Sequence, residues 1–305
     1  MKAPLILSIV AMMSLSTSCK GTINEQTLAP GTPETPVSVK TRIKVASFNI
    51  RYSNTSVDQG DNSWEKRKAA VVKMLNTVQP AVIGIQESRT DQRTYLKSTL
   101  PQYTMIEIPG TGSGTGANVT LSYDNRYFEA VRSGHYFLSA TPEKASACWD
   151  AASTAWRATI WGEFKEITSG KSFYVFCTHY PESSADNAAR LNCTRLNIAK
   201  MKEIAGENAP LLIVGDMNCS YSESDPKRTA LTPYYEWMEA ARDCPDTDRY
   251  YSFNNFGSGS STPTRNLDHI FYKNVTPISF RTDNSWEYGV KYISDHYPIY
   301  FISSF

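Results

Sequence analysis

Leu211-Leu212-Ile213-Val214-Gly215-Asp216-Met217-Asn218 is an apolar run of strand length that breaks at glycine and ends in polar groups. Such a run, rich in branched side chains and of strand length, reads as a strand. Outward from it the same ending recurs. Phe173–Thr178 stops at His179, Ala81–Gln86 at Glu87, and Ile43–Phe48 at Asn49. Toward the C-terminus, Leu267-Asp268-His269 opens one strand and Ser294-Asp295-His296 opens the last. Singly, an Asp or Asn after a strand is a turn former, and a lone His is a structural hydrogen-bonding group. Six such placements, using only Asn, Glu, Asp and His, are hard to assign to turns alone.

Further apolar runs at Phe128–Leu138, Ala158–Phe164 and Tyr297–Ile302 complete a set of strands. Trp64, Lys68, Val71, Leu75 and Val78 mark one face of a helix that stops before Pro80. A second helix is predicted from about Asp186 to Ala205, opened by Ser183 and Ser184 and closed by Gly206. Gly110–Gly116 and Gly257–Thr264 read as loops. Hairpin-like neighbours together with helical crossovers give an α/β class, two stacked sheets with helices outside.

The N-terminus is read separately. Lys2 precedes an apolar stretch, and Leu15-Ser16-Thr17-Ser18-Cys19 resembles a bacterial lipobox, in which the cysteine becomes the lipidated first residue. Residues 1–18 are thus expected to be a lipoprotein signal peptide, 19–41 a flexible tether of low apolar content, and 42–305 one catalytic domain. The expected location is extracytoplasmic, on a bacterial membrane through the Cys19 lipid. The chain has 31 Lys and Arg against 30 Asp and Glu; loss of Lys2 leaves 30 of each. A balanced charge lacks the basic surplus of a nucleic-acid binder. Of the other cysteines, Cys177 reads as a buried thiol, while Cys148, Cys193, Cys219 and Cys244 allow one bridge and show no zinc spacing.

The residue types at the strand ends suit one chemistry. Mg2+, with Mn2+ as the alternative, takes oxygen ligands and only one or two carboxylates from a protein, which Glu87 with Asp295 or Asn49 can supply. A phosphoester gains charge as water attacks, so His179, His296, Asn218 and the metal can neutralise and orient it. Asp216 suits the proton of the attacking water. Asp268 is placed to bond the ring of His296 and favour its cation. No Walker-type phosphate loop is present.

The strings Ser47-Phe48-Asn49-Ile50-Arg51-Tyr52, Gly84-Ile85-Gln86-Glu87, Thr178-His179, Gly215-Asp216-Met217-Asn218, Leu267-Asp268-His269-Ile270-Phe271 and Ser294-Asp295-His296-Tyr297-Pro298 resemble, in order, the endonuclease/exonuclease/phosphatase superfamily. The resemblance implies a four-layer α/β/β/α sandwich of two mixed sheets with the site at one edge of both. It also implies metal-site roles for Asn49, Glu87 and Asp295, catalytic roles for His179, Asp216, Asn218, Asp268 and His296, and an anion-binding role for Arg157, whose plainer reading is a structural ion pair. The implied activity is Mg-dependent hydrolysis of a phosphomonoester or phosphodiester. The substrate is expected to be small, sugar-linked or lipid-linked rather than DNA. The alternatives are a secreted DNA or RNA endonuclease, or a binding lipoprotein that keeps the fold without catalysis.

Two departures bear on His179. Cys177-Thr178-His179-Tyr180-Pro181 stands where many secreted members have Asn-Thr-His-Leu-Asp, and Gly116-Ala117-Asn118 stands where many carry a Glu that supports this histidine. Other residues have plain readings. His269 points to the face opposite Asp268 and is structural. Phe253 and Phe256, like Tyr250 and Tyr251, read as packing, with stacking on a base or sugar as the alternative. Arg190 and Arg195 read as a solvated helix face.

Overall fold

The computed structural model describes residues 40–305 apart from Thr55, 112–117, Asp150, 153–154 and 259–261. Cys19, the expected signal peptide and nearly all of the expected tether lie outside the described residues. Thr41 already exchanges two backbone hydrogen bonds with Phe305, each 3.1 Å. No helix among the described residues is long and apolar enough to cross a membrane.

Among the described residues, twelve strands form two six-stranded sheets. The first contains β1 (Arg42–Asn49), β2 (Val82–Gln86), β3 (Tyr103–Glu107), β4 (Val119–Asp124), β11 (Thr276–Thr282) and β12 (Ile299–Ser304), in the order β11-β12-β1-β2-β4-β3. The second contains β5 (Phe128–Phe137), β6 (Ala158–Glu166), β7 (Ser172–His179), β8 (Leu211–Asp216), β9 (Glu239–Ala240) and β10 (Asp268–Lys273), in the order β5-β6-β7-β8-β10-β9. Both sheets are mixed. β1 pairs parallel with β2, β7 pairs parallel with β8, and antiparallel strands flank each pair.

Between the sheets lies one apolar layer, in which Val45, Val82 and Leu121 meet Val175, Val214 and Ile270. On the outer face of the first sheet, Phe48, Ile83 and Ile85 pack with Trp64, Val71 and Leu75 of α1 (Trp64–Val78) and Leu96 of α2 (Thr90–Thr99). On the outer face of the second, Phe176, Ile213 and Phe271 pack with Cys193 and Met201 of α3 (Asn187–Ala205) and Tyr234 of α4 (Thr232–Trp237). The four-layer α/β/β/α sandwich is the expected architecture. Both faces of the central strands are covered, which is why they read as unbroken apolar runs.

The expected helices are present within a residue of the stated ends. Arg190 corrects the reading of α3: it is fully buried and donates to Pro181 O (2.8 Å) and Ser183 O (2.7 Å), pinning the segment that leaves β7. Arg195 is exposed, as expected. The last strand starts at Ile299 rather than Tyr297, so Asp295 and His296 sit in the segment before it. The five described cysteines are free and buried; the Cys148 and Cys193 sulfurs touch at 3.4 Å without a bond.

Two glycines are fixed by close approach. A Cβ on Gly84 would lie 2.5 Å from Val214 Cγ2 and 2.8 Å from Cys177 Sγ, across the inter-sheet layer. A Cβ on Gly215 would meet Thr178 O at 2.1 Å, on the neighbouring strand just before Asp216. Gly84→Val is therefore expected to destabilise the domain by at least about 1–3 kcal/mol through overpacking. Urea denaturation checks this, and an unchanged midpoint would mean that the sheets do not meet at Gly84.

Candidate active site

Parallel strands bring their C-terminal ends to the same edge, and an antiparallel neighbour begins where they end. The ends of β1, β2, β7 and β8 carry Asn49, Glu87, His179 and Asp216, while β10 opens with Asp268 directly opposite Asp216. The segment before β12 adds Asp295 and His296. All eight residues singled out from the strand ends converge on a cavity of ≈ 830 Å³. Glu87, His179, Asp216, Asn218, Asp295 and His296 line it, while Asn49 and Asp268 bond to lining residues from just behind.

Asn49 joins the two sheets. Its Nδ2 donates to Glu87 Oε1 and to Asp216 Oδ2, both at 3.0 Å, and its Oδ1 accepts from Arg51 N at 3.0 Å. Asp268 Oδ2 lies 2.7 Å from His296 Nδ1. The other nitrogen of that ring lies 3.7 Å from Asp216 Oδ2, which is also 3.6 Å from His179 Nε2. Asn218 N donates to Asp216 Oδ1 at 3.0 Å, and Asn218 Nδ2 donates to Tyr180 O at 2.9 Å. Arg51, Glu87 and Asn218 all have left-handed backbone, at φ 56, 62 and 50. Non-glycine residues hold that conformation only where surroundings enforce it, and such positions cluster at active sites.

One enforcing group gave no sequence signal. Arg67 on α1 is fully buried and donates to four carbonyls: Asn62 (2.7 Å), Ile50 (2.9 Å), Ile293 (2.8 Å) and Arg51 (3.2 Å). It thereby ties the end of β1 to the segment carrying Asp295. Burial lowers the guanidinium to about 10, so it stays charged at neutral pH.

The support of His179 also becomes visible. Arg157 Nη1 lies 3.0 Å from His179 Nδ1, and Arg157 Nη2 is paired with Glu182. A guanidinium has only donors, so Nδ1 accepts and the ring proton sits on Nε2, 3.6 Å from Asp216 Oδ2; the Asn218 Nδ2 that lies 3.3 Å from Nε2 is then a contact and not a hydrogen bond. An arginine therefore does the holding where the resemblance implied an acid. Burial first, then Arg157 and His296, keep the His179 imidazole well below its usual range, hence neutral.

His296 is the opposite case. Burial opposes its charge, but Asp268 and Asp216 outweigh burial and push it up to about 10. Burial raises Asp216 to about 7, with His296 pulling down and Asp268 pushing up. A histidine whose folded pKa is raised contributes stability that is complete below its unfolded value of about 6.5 and lost as pH rises through the folded one. In EDTA, the melting temperature of the wild type relative to His296→Gln is therefore expected to be highest below pH 6.5 and to shrink toward pH 10. A difference constant from pH 6 to 10 would contradict the ion pair.

Asp216, Asp268 and His296 offer ligand atoms within 4.8 Å of one another. That trio is a poor cation site, because His296 is itself the cation and spends Nδ1 on Asp268. Glu87 and Asp295 suit a divalent ion better. Burial raises the Asp295 carboxyl; His296 pulls it back, and Glu87 pushes it up again, a repulsion that a bound cation would relieve. Asn118 Oδ1, buried beside the same cavity, has no hydrogen-bond partner among the described residues. Two carboxylates and a spare amide oxygen match the hard-oxygen preference of Mg2+.

The profile of the Endonuclease/Exonuclease/phosphatase family matches residues 46–296, which include every residue of this edge. The chain belongs to that family. Members of the endonuclease/exonuclease/phosphatase family hydrolyse phosphoester bonds and are typically dependent on divalent metal. Solved structures of the same architecture include a family member from Bacteroides thetaiotaomicron, 26% identical, covering 88% of this chain and 99% of its own, with TM-score 0.77. A mannosyl-6-phosphatase from Bacteroides thetaiotaomicron VPI-5482 is also 26% identical, covering 86% and 99%, with TM-score 0.75. D. rerio TDP2, solved with a single-strand DNA product, is 16% identical, covering 86% and 99%, with TM-score 0.64, and shares the fold. No curated protein sequence matches the chain.

Phe253 and Phe256 line the cavity, with Phe253 centred 4.9 Å from the His296 ring. Tyr250 and Tyr251 instead stack on each other at 4.5 Å and pack with Tyr297. The packing reading holds for the tyrosines, while the phenylalanines pack against His296 and Arg67 and also face the cavity, where the stacking alternative stays open. His269 Nε2 bonds Cys219 O at 2.8 Å on the far side of β10, a structural role as expected.

Proposed function

We propose that this domain is a Mg2+-dependent phosphoester hydrolase, Mn2+ serving as the alternative ion, acting outside the cytoplasm on a small sugar-linked or lipid-linked phosphoester in preference to DNA. The observation that carries the reading is the setting of Asp216. Its Oδ2 is held by Asn49 and faces two histidine nitrogens at 3.6 and 3.7 Å, one ring neutral and one cationic. An acid so placed can hold a water in line and accept its proton. The cationic His296 and the neutral Nε2–H of His179 then meet the negative charge that grows on the phosphoryl oxygens. Asn218 supplies an amide beside them. Asn49 and Asp268 orient Asp216 and His296, and Arg157 fixes the His179 tautomer. Bound at Glu87 and Asp295, a divalent ion would supply Lewis-acid polarisation of the phosphoryl oxygen.

The substrate class follows from the cavity and the relatives. A space of ≈ 830 Å³ with Phe253 and Phe256 on its wall suits a compact leaving group with an apolar face. The mannosyl-6-phosphatase makes a sugar phosphate the first candidate. Balanced charge argues against a DNA track. The test is a panel of mannose 6-phosphate, other sugar phosphates, inositol phosphates, sphingomyelin and duplex DNA, with Mg2+, Mn2+ or EDTA. The reading expects metal-dependent release from a small phosphoester. DNA cleavage about a hundredfold faster than every small ester, roughly 2.7 kcal/mol of transition-state preference, would overturn it. Attachment through Cys19 is part of the proposal. Membrane fractionation should show loss of the bound form in Cys19→Ser, and equal partitioning would speak against lipidation.

A further inference from the structure

Asn218 is followed by a segment that folds back onto it. Asp225 holds the fold, its Oδ2 accepting from Ser220 N and its Oδ1 from Lys227 N, both at 3.0 Å. Lys227 thus sits at the start of the 3-10 turn Pro226–Leu231, lines the active-site cavity, and donates from Nζ to Asn218 O at 3.2 Å. It is half-buried, and among the described residues no carboxylate lies within ion-pair distance of it.

Besides His296, the other cations of the cavity are arginines, and each is engaged elsewhere. Arg51 is paired with Asp58 and lies 3.6 Å from Asp295. Arg157 is held between Glu182 and His179. Arg89 donates to Ser53 O and lies over the Tyr52 ring. The cation beside Asn218 is therefore Lys227. An ammonium has three donors, of which the Asn218 carbonyl takes one.

We propose that Lys227 is a specificity-determining residue that selects phosphomonoesters over phosphodiesters, by bonding the third terminal oxygen of a phosphoryl group held at Asn218. This rests on the reading of the cavity as a phosphoester site. A monoester carries three terminal oxygens and close to two negative charges at neutral pH. In a diester one of those oxygens bears a carbon, the charge is one, and the ammonium loses both its acceptor and half its electrostatic attraction. Desolvation of the half-buried ammonium makes that contact count for more than a surface pair would.

The test compares wild type, Lys227→Met and Lys227→Arg in two ways. Calorimetry at pH 8 with Mg2+ measures binding of inorganic phosphate and of dimethyl phosphate. Turnover is measured on p-nitrophenyl phosphate and its methyl diester. For Lys227→Met we expect about tenfold to hundredfold weaker phosphate binding and a like loss in monoester kcat/KM, with dimethyl phosphate and the diester changed less than about threefold. Lys227→Arg should recover most of the loss. Unchanged phosphate binding, or equal weakening for both ligands, would overturn the proposal. If the wild type turned over neither ester, the hydrolase reading would fall, while the binding comparison would still decide the role of Lys227.

Discussion

Asp216→Asn is expected to lower kcat by about 100- to 10,000-fold, the range for loss of a positioned general base. The substitution keeps the shape and one of the two bonds that the carboxylate accepts, from Asn49 Nδ2 or from Asn218 N, but removes the group that takes the proton of water. The fold should survive. Burial already raises the Asp216 carboxyl to about 7, so its charge is tolerated rather than stabilising, and a neutral amide relieves that cost. At pH 8 the variant should match the wild type in stability within about 1–2 kcal/mol, or exceed it. Steady-state kinetics and urea denaturation on the same preparations check both parts. Near-wild-type turnover would remove Asp216 from the mechanism, and a collapsed fold would make its role structural.

Glu87→Gln should act by a different route. Glu87 is the acid that Asn49 and Tyr52 N hold toward the cavity, at 3.0 and 3.2 Å, on a left-handed backbone. Removing its charge leaves Asp295 as the one carboxylate of the proposed pair. Mg2+ affinity is expected to fall by at least about 100-fold, beyond the cost of losing an outer partner of a metal ligand. Calorimetric titration with Mg2+ reads this directly, and high Mg2+ should recover part of the activity, as it should not in Asp216→Asn. Unchanged Mg2+ affinity would place the ion elsewhere.

The contrast between these variants reflects what the sequence made legible. Strands covered on both faces, such as Leu211–Asp216, announce themselves as apolar runs, and their last residues can be read without knowing the partners. Val119–Asp124 and Tyr103–Glu107 were not recognisable as strands, because Thr120, Ser122 and Thr104 interrupt the apolar pattern. Thr276–Thr282 hid behind Pro277 and a bulge at the sheet edge. Within the site, the Asp268–His296 pair followed from residue chemistry, and Asn49 and Glu87 from their places at strand ends, though not the bond between those two. Arg67 did not, since it acts only on backbone carbonyls and its helical position marks nothing but burial. Arg157 reaches His179 because Thr159 pairs with Thr178 antiparallel, a register that spacing alone does not reveal. Lys227 depends on a turn set by Asp225, and Phe256 on a left-handed backbone capped by the Asn254 side chain at 2.8 Å.

If this strand edge directs water onto phosphorus, hydrolysis breaks the P–O bond and not the C–O bond. Hydrolysis of mannose 6-phosphate with Mg2+ in 18O-enriched water, followed by mass spectrometry of both products, separates the two. One solvent-derived 18O is expected in the released phosphate and none in the sugar, with the labelled product absent in EDTA. Label in the sugar hydroxyl, or release that continues unchanged without metal, would contradict it.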